Sequence, residues 1–92
     1  MKMALLDIAP ELAAEAFAVL RDAGAIVLGS IDAQPNLRVV VSHPDLPADC
    51  EADGKHPSPV VMMTVVVDSE RRHKLDGFQI NPWAAPLVRR AR

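Results

Sequence analysis

The chain has 92 residues, half of them hydrophobic and 24 % charged, with a formal net charge of −2. One domain fits in this length, burying about 60 % of the surface that the unfolded chain exposes, and the composition excludes a disordered chain. So small a net charge also excludes long-range steering by overall charge, so any charged partner has to read a local cluster.

At the N-terminus, Met3, Leu5 and Ile8 alternate weakly enough to predict only a short edge strand within Met1–Ile8. Its apolar stretch is stopped by Asp7 and Pro10, short of the roughly 7–15 apolar residues of a secretory signal. No later segment approaches the ~20 apolar residues of a membrane span.

Residues 10–23 carry the strongest helix signal. Pro10 sits in the first turn, Glu11 and Glu15 lie early, Arg21 lies late, and Gly24 stands where the chain should leave the helix. Leu12, Ala13, Ala16, Phe17, Val19 and Leu20 form an apolar stripe at helical spacing, which reads as a core face.

Two β-branched runs follow, 25–31 and 37–42, around the turn-forming cluster Asp32-Ala33-Gln34-Pro35-Asn36, and they read as a hairpin. Val60-Val61-Met62-Met63-Thr64-Val65-Val66-Val67 is a third strand, apolar on both faces. The fourth strand, 73–80, is interrupted by Asp76-Gly77, which suits either a bulge or a tight hairpin turn. Past Asn81, Pro82 and Pro86 leave room for a short helix over 86–91, and residues 84–92 end as a basic tail.

This order predicts an α+β domain of two layers spanning 1–92, with one helix packed on a four-stranded antiparallel meander. In such a meander the turns at 32–36 and 68–72 share one end of the sheet. The connection at 43–59 and Trp83 share the other.

That connection holds seventeen residues, where a hairpin takes two to about five. Asp45, Asp49, Glu51 and Asp53 face Lys55 alone, and four prolines stiffen it. The loop reads as an acidic docking surface for a basic protein partner, or else as a solvated insertion. Trp83, at the same end, is either an anchor for the tail or a binding hot spot.

His43, Cys50 and His56 lie in the same loop and are ligand types that zinc prefers. Their gaps of six and five intervening residues are too wide for structural zinc spacing, so no metal or other cofactor is assigned. A Cys–His nucleophile pair would need an orienting group and an oxyanion site, and no glycine-rich or helix-start context offers one. Cys50 is the single cysteine, which rules out an internal disulfide and points to a reducing, cytoplasmic setting.

Six of the ten basic residues fall in two segments, Arg71-Arg72 with Lys74, and Arg89, Arg90 and Arg92. They could meet phosphates, but the aromatic platforms of nucleic-acid binders are missing, so nucleic acid is disfavoured as a partner.

The central question is what covers the sheet. If the helix shields one face, then Val61, Met63, Val65 and Val67, or their alternates Val60, Met62 and Val66, need another cover. Burying four such side chains is worth roughly 6–12 kcal/mol, comparable to the net stability of a domain. The terminal segments, a second copy in a homodimer, or a different protein could supply it.

The resulting expectation is a small non-catalytic interaction or regulatory module of inhibitor or adaptor type. Its partner-binding residues would be Asp45, Asp49, Glu51, Asp53 and Trp83. Phage- or mobile-element-encoded inhibitors such as anti-CRISPR proteins are analogous in size and charge only. A structural subunit that forms homo-oligomers is the alternative, and a small enzyme or nucleic-acid-binding domain comes third.

Overall fold

Gly24 shows how closely local sequence dictates structure here. Its φ of 80° lies in the left-handed region that glycine enters without a Cβ penalty. The Gly24 N–H donates to the Arg21 carbonyl and the Ala25 N–H to the Leu20 carbonyl, the paired bonds of a Schellman motif. They end α1 (Ala13–Asp22), which is preceded by a 3-10 turn over Pro10–Leu12.

The computed structural model describes residues 1–51, 58–80 and 87–91. Beside α1 it contains β1 (Met3–Ile8), β2 (Ile26–Ala33), β3 (Asn36–Ser42), β4 (Val60–Val67), β5 (His73–Ile80) and β6 (Val88–Ala91). The sheet order is β2-β3-β1-β4-β5, with β6 also paired to β4.

This corrects the expected four-stranded antiparallel meander. The sheet is mixed, and β1, expected at an edge, lies at its centre. It runs antiparallel to β3, from Met3 opposite Ser42 to Ile8 opposite Leu37. It runs parallel to β4 through Leu5–Val60 and Leu6–Val61.

The physical reason is the burial that β1 offers. Ala4, Leu6 and Ile8 are completely buried, and an edge strand could not enclose them so fully. With β1 between them, β3 and β4 stand about 10 Å apart, two strand spacings. The long connection at 43–59 is the length of chain that steps across β1.

The short C-terminal helix is also corrected. Val88–Ala91 is a strand, parallel to β4 from Met63–Val88 to Val66–Ala91. It continues the line of β1 along the same flank of β4. The Leu87 N–H donates to the Asp7 carbonyl, and the Leu87 carbonyl accepts from the Met63 N–H at 2.8 Å. Pairing to an open flank outweighs the modest helix propensity of so short a segment.

Asp76-Gly77 resolves as a bulge. The register passes from Thr64–Gly77 to Val65–Leu75 and leaves Asp76 as the extra residue. Between β4 and β5, Asp68 closes the turn. Its carboxylate accepts the N–H groups of Glu70 (3.0 Å) and Arg72 (2.8 Å), while Arg71 takes a left-handed φ of 61°. The strand directions put this turn and the β2–β3 turn at one end of the sheet, and the start of the 43–59 connection at the other.

The core lies on the α1 side. Leu6, Val39, Val61, Met63 and Val65 meet Val19 and Leu20 of the helix, together with Leu46 and Cys50 from the connection after β3. Along β4, Val61, Met63 and Val65 point into this core, and Val60, Met62 and Val66 lie half-buried on the other face.

Candidate functional site

β2 is the outermost strand, and its composition is unusual for that place. From Ile26 to Ile31 the chain reads Ile-Val-Leu-Gly-Ser-Ile, with no charged residue and no proline. Its side chains stand in solvent: Ile26 is 60 % exposed, Leu28 47 % and Ile31 55 %. Sheet edges are ordinarily protected by charge, proline or a bulge that turns the edge away, because their unpaired N–H and C=O groups template further pairing.

The opposite edge of the same sheet carries that protection. β5 exposes Lys74, Asp76 and Gln79 and is bent by the Asp76 bulge. Each edge strand has a bulge, and the two edges differ in charge: β5 exposes Lys74 and Asp76, and β2 shows no charge from Ile26 to Ile31.

β2 has its own irregularity, a register shift between Val27–Val41 and Gly29–Val40 that leaves Leu28 extra. The shift resets the alternation of side chains. Ile26 lies opposite Ser42 and Ile31 opposite Arg38, so both isoleucines fall on the face turned away from α1, where Met3, Leu5, Val40, Val60, Met62 and Val66 are half-buried. At the far end of this face Asp7 is buried to 3 % exposure. Arg38, across from it in the β1–β3 register, keeps a buried Nε without a hydrogen-bond partner. The outer face is thus an apolar surface that runs out to the uncharged edge.

The acidic residues singled out from the sequence are placed as follows. Asp45 and Asp49 are exposed, in the turn after β3 and in a 3-10 turn over Ala48–Cys50. Glu51 is engaged by the chain itself: its Oε1 accepts from the Met1 ammonium group at 2.6 Å, and its backbone bridges to Lys2. The bond and the charge of that ammonium group hold the Glu51 carboxyl below its ordinary range. Asp53, Trp83 and His56 lie outside the described residues.

His43 and Cys50 are both buried. The His43 ring uses both nitrogens, Nδ1 toward the Asp45 N–H at 3.0 Å and Nε2 toward the Ala23 carbonyl at 2.8 Å. Burial raises the Cys50 thiol pKa above its ordinary value, and the neighbouring Asp49 charge adds to the shift. Such a thiol is a poor nucleophile at neutral pH. Among the described residues no three His, Cys, Asp or Glu side chains converge as a metal site would need, and no helix is long and apolar enough to cross a membrane.

An open groove of about 700 Å³ separates α1 from β5, lined by Glu15, Val19 and Asp22 on the helix and Arg72, His73 and Lys74 on the sheet side. His73 Nε2 approaches Glu15 Oε1 to 2.8 Å. The other cations here turn to the β4–β5 turn: Arg72 pairs with Asp68 and Glu70, and Lys74 with Asp68. The groove therefore has balanced charges with no convergent set of donors or acceptors, and it specifies no ligand.

Sequence reasoning concentrated on β4 and the acidic loop and passed over β2. The signal was present in the uncharged run 26–31, in a strand that a hairpin at the start of any meander would leave at an edge. Comparison of the chain with protein-family models, curated proteins and solved structures finds no match in any of the three.

Proposed function

We propose that the chain is a small non-catalytic protein-interaction module whose docking surface is the β2 edge. Its partner adds a strand alongside β2, so that main-chain hydrogen bonds supply affinity and the exposed Ile26, Val27, Leu28 and Ile31 supply selectivity. The observation that carries this reading is the contrast between the two sheet edges. An uncharged apolar edge opposite a charged one is an aggregation hazard unless it is used.

Asp45, Asp49 and Glu51 lie at the end of the sheet where β2 begins. Their role is secondary in this reading, because Glu51 is already paired within the chain.

Co-purification from the native host tests the proposal with two altered chains, Ile31→Lys and the double substitution Asp45→Asn/Asp49→Asn. The proposal expects association to be lost with the first and kept with the second. Association that survives Ile31→Lys and disappears with the neutralised aspartates would transfer the docking surface to the acidic loop.

A further inference from the structure

Resting on the reading of β2 as a docking edge, we propose that its occupant is a second copy of this chain, joined β2 to β2 in antiparallel orientation about a two-fold axis between Leu28 and Gly29.

The argument is the self-complementarity of the strand. A two-fold axis pairs each residue of one strand with a residue of the other at a constant sum of residue numbers. Directly opposed residues must also share a face of the sheet. A regular strand meets that condition only with an even sum. The Leu28 bulge separates Ile26 and Val27 from Gly29, Ser30 and Ile31 and reverses their alternation, so here an odd sum is required.

The odd register centred between Leu28 and Gly29 sets Ile26 against the partner copy's Ile31 on the outer face. Val27 then meets Ser30 on the α1 side, and Leu28 lies beside the partner copy's Gly29, whose missing side chain leaves room for it. No clash of like charge arises. Asp32, the first charged residue along the strand, falls opposite Ala25 and not opposite a second carboxylate.

Continuity supports the same occupant. Ile26 and Ile31 lie on the face that holds Leu5, Val40 and Met62, so the pairing joins two half-buried apolar faces into one surface across the axis. The path β2-β3-β1-β4-β5 of each copy is then continued into the other through β2, and both ends of the joined path are β5, the charged strand.

Sedimentation equilibrium of the full chain at micromolar concentration tests the proposal, together with mixing of tagged and untagged copies. The proposal expects a dimer that exchanges tagged for untagged chains. Ile31→Lys should weaken it by roughly tenfold or more, because each interface would hold two lysines against apolar partners. Ile80→Lys, on the other edge and also at an exposed residue, should leave the dimer intact. Leu28→Lys supplies a second lesion of the same edge should Ile31→Lys lose its native circular dichroism.

A dimer that survives both β2 substitutions overturns the proposal. A strictly monomeric chain whose tagged form retains a different protein in an Ile31-dependent way also overturns self-pairing, and leaves strand addition at β2 standing. A monomer with no Ile31-dependent association overturns both.

Discussion

His43 Nε2 lies 2.8 Å from the carbonyl oxygen of Ala23, the residue that caps α1. Because Nδ1 accepts the Asp45 N–H, the ring proton resides on Nε2 and is donated to Ala23. The ring also packs on Phe78, centroid to centroid at 5.5 Å. One buried side chain thus ties the end of β3 to the helix and to β5. Two part-buried hydrogen bonds at about 1 kcal/mol each, with the lost ring packing, put the cost of His43→Ala at roughly 2–4 kcal/mol. Urea unfolding measures it, and an unchanged midpoint would contradict this structural role.

The central position of β1 makes a sharp demand on Leu6. The side chain is fully buried and opposes Val39 on one side and Val61 on the other. Leu6→Ala should cost about 2–5 kcal/mol, the range for a core leucine. Leu5→Ala, on the half-buried face, should cost less. Equal small losses at both positions would return β1 to the edge of the sheet.

How far the fold could be read in advance follows from the range of the interactions involved. The helix and the runs that became β2, β3, β4 and β5 announce themselves through local periodicity and turn residues. β1 does not, because Asp7 interrupts its pattern and its worth lies in Leu5 and Leu6 meeting Val60 and Val61, more than fifty residues away in the chain. Val88–Ala91 looks helical alone and becomes a strand only because β4 leaves a flank open beyond β1. For the site, the apolar run of β2 was legible, and its exposure was not. Nothing in residues 26–31 says that α1 packs mainly toward β5 and leaves the far edge uncovered.

Gly24 permits a substitution test free of packing effects. A Cβ there would meet no atom within 4 Å, and the φ of 80° alone opposes it. Gly24→Ala should therefore destabilise the protein by about 1 kcal/mol, the cost of a left-handed alanine. Thermal unfolding checks this, and a rise in melting temperature would show that the Schellman geometry is not maintained.

Asp68 sets an acid limit on the β4–β5 turn. The Arg72 N–H is the main cause that lowers its pKa from 3.8 to about 2, assisted by Lys74, the Glu70 N–H and the Arg72 charge. Since the folded pKa is depressed, its contribution is present above about 3.8 and is lost as pH falls toward about 2. Wild-type protein should lose more melting temperature across that window than Asp68→Asn, which carries no titrating group there. Parallel curves for the two proteins would show that the carboxylate does not stabilise the turn.

The claim that β2 is an open edge awaiting a strand is tested most directly by hydrogen exchange of its main-chain amides at increasing protein concentration. The N–H groups of residues 26–31 that point away from β3 should exchange freely in dilute solution and become protected as the concentration rises, while those of β5 stay unchanged. Exchange at β2 that is independent of concentration and of every added partner would contradict it.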